Sequence, residues 1–147
     1  MDNLRQNIVT HIAQELDCGF DCFFNFKTYE TIRIPNLSHI IDDDDFREAF
    51  GADLRKIEKH KADFIKIEAL ESFESFKIME LFVEQLADNK FKEELENVLV
   101  NKKPFQNFKH LIDNSDFRQV WFDFKLNEIE RKVKNELTQG KPTHNKA

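Results

Sequence analysis

The sequence predicts an α+β fold: a small three-stranded, mainly antiparallel sheet packed against helices, followed by a helical C-terminal half. Three observations carry this. Alternation of apolar and polar residues, the signature of a strand with one buried face, occurs at 20–27, 31–34 and 63–70 only. From residue 72 onward the apolar residues recur at the three-to-four-residue spacing of amphipathic helices. A sheet of three strands is stable only with a helical cover, and helices over one of its faces are the simplest packing.

The elements follow in order. Leu4, Ile8, Ile12 and Leu16 form an apolar stripe that predicts a helix over 3–17, with Asp2 or Asn3 to cap it and Gly19 just past its end. Phe20, Cys22, Phe24 and Phe26 alternate with polar residues as a first strand. After a turn at 28–30, Ile32 and Ile34 mark a second strand that Pro35 ends, making a hairpin. A loop over 36–45 closes with Asp42, Asp43, Asp44 and Asp45. These acids suit the positive end of the next helix, predicted from Phe46 to Lys61 with Phe46, Phe50, Leu54 and Ile57 inward, and Gly51 is a place where that helix can break. The third strand should bury Ile65 and Ile67. A helix then starts at Ser72 or Ser75 and buries Phe76, Met79, Phe82, Val83 and Leu86. Another spans Lys90 to about Val100, burying Phe91, Leu95, Val98 and Leu99. Pro104 suits the first turn of the next, which carries Phe105, Phe108, Leu111 and Ile112. A long helix from Ser115 or Asp116 to about Thr138, lined by Phe117, Val120, Trp121 and Phe124, ends the domain. One domain is predicted over 1–139, with a flexible tail over 140–147.

Composition narrows the class. Apolar residues make up 40% of the 147, too many for a disordered chain, and sixteen Phe stand beside one Tyr and one Trp. Such rings predict a phenylalanine-rich core, with two or three free to form a binding patch. Cys18 and Cys22 are too few for a disulfide framework, and a lone C-x3-C pair lacks the four ligands of a zinc site. Reduced thiols, no signal-like start and no long apolar run predict a cytoplasmic protein without a membrane span. The net charge of −6 is uneven: residues 1–101 carry 12 Lys/Arg against 22 Asp/Glu, whereas 102–147 carry 10 against 6. This asymmetry suggests a partner surface, and the overall acidity speaks against broad DNA binding.

Several blocks together resemble a known bacterial family. They are Phe64-Ile65-Lys66-Ile67, Ser75-Phe76-Lys77-Ile78-Met79-Glu80-Leu81-Phe82, Lys103-Pro104-Phe105 with Phe108-Lys109, Ile112-Asp113-Asn114-Ser115, and Trp121-Phe122-Asp123-Phe124-Lys125. Leu16-Asp17-Cys18-Gly19 and Ile34-Pro35-Asn36 match at the start of the hairpin and at its close. Their order, over roughly residues 12–138 apart from 37–61, resembles Uncharacterised Protein Family 0158 in its Bacteroidetes-type form. The resemblance implies the same fold and a cytosolic bacterial setting. Because that family has no established activity, it implies no catalytic residue.

The residues themselves point to no reaction. The histidines 11, 39, 60, 110 and 144 are scattered, without H-E-x-x-H or similar spacing, and no Gly-rich phosphate loop occurs. The Asp42–Asp45 run lacks the alternation and the glycine of a calcium loop. No catalytic, cofactor or metal residue is therefore assigned. The one constellation with recognition chemistry is basic and aromatic. Lys102, Lys103, Lys109, His110, Arg118 and Lys125 interleave with Phe105, Phe108, Trp121, Phe122 and Phe124. Such a stretch can be a seam between two helices, an anchor for a protein, or a stacking platform for single-stranded nucleic acid. Lys103, Lys109, Arg118, Trp121 and Lys125 are its candidate partner-binding residues. The function expected is a non-enzymatic interaction or regulatory module that binds another protein. An RNA- or DNA-binding accessory protein comes second, and a hydrolase using acids near Asp42–Asp45 third.

Overall fold

The computed structural model describes residues 2–36 and 43–140. In order it holds α1 (Asp2–Asp17), β1 (Phe20–Asn25), β2 (Thr31–Pro35), α2 (Asp43–Lys59), β3 (Phe64–Ile67), α3 (Ser72–Gln85), α4 (Asn89–Leu99), α5 (Pro104–Asp113) and α6 (Arg118–Gln139). The fold is α+β, with a three-stranded, wholly antiparallel sheet and a helical C-terminal half. The chain falls into two compact units: Met1–Leu70 with Ile129–Ala147, and Glu71–Glu128. Beyond Gly140, the expected tail lies outside the described residues, as do Asp42, His39 and His144.

In the first unit β1 is central, in the order β2-β1-β3. The register pairs Phe23 with Ile32 and Lys66, and Cys22 with Arg33 and Ile67. Cross-strand partners share a face, so Ile32 and Ile34 lie opposite the face that carries Cys22, Phe24, Ile65 and Ile67. Both faces are covered, in place of the single covered face the sequence suggested. Ile32, Ile34 and Phe64 cluster with Ile57, Phe46, Phe50 and Leu54 of α2. On the other face Glu15 of α1 pairs with Arg33 at 3.1 Å, and Val9, Ile12, Ala13 and Leu16 are buried. Leu4 is exposed. A strict four-residue repeat drifts by about 40° per step on a helix of 3.6 residues per turn, which turns the start of the stripe toward solvent. Thr10 donates to Glu130 at 2.7 Å, placing the last part of α6 beside α1, where Ile129 and Val133 are fully buried.

Local rules explain the boundaries. Gly19 ends α1 at φ 93°, in the left-handed region. β1 stops at Asn25 because its Oδ1 accepts from the backbone N–H groups of Lys27 and Thr28, turning the chain where continued alternation was expected. Asp21, also buried, accepts from Ala69 N at 2.8 Å and ties down the chain leaving β3. Helix α2 begins at Asp43, so Asp43, Asp44 and Asp45 sit within its first turn, and it continues through Gly51 without a break.

The second unit is helical. α3 is capped by Glu71 and Glu74 in a reciprocal capping box instead of by a serine. Asp88 caps α4 by accepting from Phe91 N, and Pro104 opens α5 as anticipated. α4 packs against both α3 and α5. Phe82, fully buried, meets Trp121 and Phe124 edge-on at 5.2 and 5.3 Å, and Phe108 meets Trp121 at 4.9 Å. Of the sixteen Phe only Phe24, Phe64, Phe82 and Phe108 are buried; aliphatic side chains fill most of the core and the other rings lie around it.

Candidate partner-binding surface

Of the basic and aromatic residues singled out in the sequence, Lys109, Arg118, Phe122 and Lys125 are linked by contacts into a strip along α5 and α6 of the second unit, whereas Phe108 and Trp121 are buried and Phe124 packs on Phe82. Trp121 is only 8% exposed, because its ring fills the space between Phe82 and Phe108. Its neighbour Phe122, turned about 100° round the helix, meets Arg118 and shares Lys125 with the indole. The Arg118 guanidinium lies 4.6 Å from the Phe122 ring centre, and the Lys125 ammonium lies 5.6 Å from the rings of both Phe122 and Trp121. Arg118 also reaches Asp113 at 3.2 Å, and Lys109 reaches the same carboxylate at 2.7 Å. The Lys109 hydrogen bond, with Arg118 behind it, holds the Asp113 carboxyl below its ordinary range. One contact path runs from Lys109 through Asp113 and Arg118 to Phe122 and Lys125, and Phe105 precedes Lys109 by four residues on α5.

At the head of this strip stands an apolar patch. Phe76 of α3 meets Phe105 of α5 edge-on at 6.1 Å. Phe73, one turn before Phe76, is 71% exposed, and Phe105 is 43% exposed. Lys77 follows Phe76 on α3, Lys102 and Lys103 come just before Phe105 in the chain, and all three are exposed. Lys103 stands at the α4–α5 connection with φ 54° and ψ 54°, a left-handed backbone rare outside glycine. Sequence periodicity missed Phe73 and Lys77. Their signal was the Phe73–Phe76 spacing, which extends the α3 stripe one turn past the last position with a core to fill.

Among the described residues no group of three or more His, Cys, Asp or Glu side chains gathers as a metal site would require. Cys22 is buried and its thiol is pushed up to about 12, chiefly by burial, then by Glu15 and Asp21, which leaves it protonated and unreactive. Cys18 is exposed, and neither cysteine is in a disulfide. His11 lies 3.8 Å from Glu15, on α1. Among the described residues no helix is long and apolar enough to cross a membrane.

A family profile matches residues 33–140, that of an uncharacterised protein family, UPF0158. No curated protein and no solved structure matches the chain.

Proposed function

Starting from a chain that belongs to the uncharacterised family UPF0158, we propose that it is a non-catalytic interaction module, working in a reducing cytosol and binding another protein through the strip from Phe73 to Lys125. The observation that carries this is the pair of exposed rings Phe73 and Phe105, of which Phe105 meets Phe76 edge-on and Phe73 lies one turn before Phe76 on α3. A ring as exposed as Phe73 adds little to the fold, and apolar patches with a polar rim are the usual mark of a protein contact. The neighbouring charges favour a protein over a nucleic acid. Lys109 and Arg118 share the Asp113 carboxylate, which cancels one of their two charges, and Asp123 accepts from Gln119 on α6, so phosphates would meet carboxylates beside these cations. A hydrolase is less well supported: among the described residues, shifted proton affinity is found at a buried thiol and at a surface carboxylate already paired with two cations.

Affinity capture from the source cells tests the proposal, comparing the tagged chain with its Phe73→Ser plus Arg118→Ala variant, both checked for folding. A small set of proteins should be held by the first, lost by the second and unaffected by nuclease. Capture that is unchanged by the substitutions, or abolished by nuclease, overturns it.

A further inference from the structure

We infer that the head of this strip, Phe73, Phe76 and Phe105 with Lys77, Lys102 and Lys103, docks an acidic amphipathic segment of the partner, an inference that rests on the protein-binding proposal above. The rings supply apolar area, and the charge balance around them names the complement. At the start of α3 the side chains of Glu71 and Glu74 are engaged in the capping box, where the Glu74 carboxylate accepts from Glu71 N at 2.9 Å. The three lysines are exposed and, among the described residues, make no ion pair, unlike Lys109 and Arg118 further along the strip. Three ammonium groups without an ion-pair partner among the described residues therefore stand near the apolar surface, and an acidic chain would supply their counter-charges.

The turn that presents the lysines is held in place. The side-chain amide of Asn107 donates to the Lys102 carbonyl at 3.1 Å, and Asn107 N donates to the Lys103 carbonyl at 3.1 Å. Pro104 fixes the next φ. Lys103 keeps its left-handed backbone at a position glycine would occupy without strain. A strained lysine in a fixed turn beside exposed rings fits a side chain kept for recognition.

The test uses the full chain and fluorescence polarisation. The probe is a labelled, capped helical peptide of about eighteen residues with Leu and Phe on one face and Glu on the other. One control replaces each Glu by Gln, and a second is a short oligouridylate. The acidic peptide should bind at least about ten-fold more tightly than the Gln peptide at low salt. Lys102→Glu with Lys103→Glu should erase that preference. Phe73→Ser should weaken both peptides. Lys103→Gly suits the left-handed backbone, so it should keep the fold and still reduce the preference. Equal binding of the two peptides, or a preference that survives charge reversal, refutes the inference. If cell capture meanwhile yields a protein lost with Phe73→Ser, the module stands and only the acidity of its partner falls. Oligouridylate bound in preference to both peptides refutes both.

Discussion

Phe82 and Phe73 lie nine residues apart on α3 and make opposite predictions. Phe82 is fully buried, with two edge-on aromatic neighbours, Trp121 and Phe124. Truncation to Ala leaves a ring-sized void and removes both aromatic contacts, for a cost of about 4 kcal/mol. With a urea dependence of about 2 kcal/mol per molar for a chain this size, the midpoint should fall by about 2 M. Trp121, the one tryptophan of the chain, sits against Phe82, so its fluorescence reports this transition directly. Phe73→Ala removes a ring that is mostly in water already, and should change stability by no more than about 0.5 kcal/mol, moving the midpoint by about 0.25 M. The assay is urea titration of wild type and both variants, followed by Trp121 fluorescence and far-UV circular dichroism. A shift below about 0.5 M for Phe82→Ala, or equal shifts for the two variants, would refute the division between core ring and surface ring on which the functional proposal stands.

Other outcomes follow from the same contacts. Cys18 should react with a thiol reagent at pH 8 within minutes, whereas Cys22 should react only as the first unit opens; mass spectrometry of the labelled chain separates the two. Because burial pushes the folded thiol of Cys22 up from 9.0 to about 12, the unfolded state loses that proton first. Its contribution to stability is therefore whole below pH 9 and is lost as pH rises toward 12, a decline that Cys22→Ala should lessen in alkaline urea titrations. Asp113 should titrate below the usual carboxylate range in a carbon-detected NMR titration, and Lys109→Ala should bring it back toward that range. Since its folded value is depressed, its contribution is present above the unfolded value and lost as pH falls through the folded one. Asp21→Ala leaves the Ala69 N–H without its acceptor in a buried place and should cost about 1–3 kcal/mol by thermal or urea unfolding.

How far the sequence reached depended on whether a rule was local. Pro104 marked the start of α5, and Gly19 the end of α1, because each acts through its own backbone angle. The faces of the sheet were a different matter. Ile32 and Ile34 look like partners of Ile65 and Ile67 by alternation alone, yet the cross-strand register sets them on opposite faces, and register is a long-range fact. At the candidate surface, the mixture of rings and cations was legible. The orientation of Trp121 and Phe122 was not: adjacent residues diverge by about 100° on a helix, and which one turns inward depends on where Phe82 and Phe108 come to rest. Phe73 escaped notice because it continues a helical stripe past the end of the core, where periodicity looks the same whether a ring is buried or bare.

The central claim is that Phe73 and Phe105 face a protein partner. Site-specific photocross-linking in the source cells tests it most directly, with a benzophenone amino acid placed at Phe73, at Phe105 and, as a control, at exposed Glu48 of α2. Discrete protein adducts at the first two positions and none at the third are the predicted result. Adducts equal at all three positions, or adducts at Phe73 and Phe105 that nuclease removes, would contradict it.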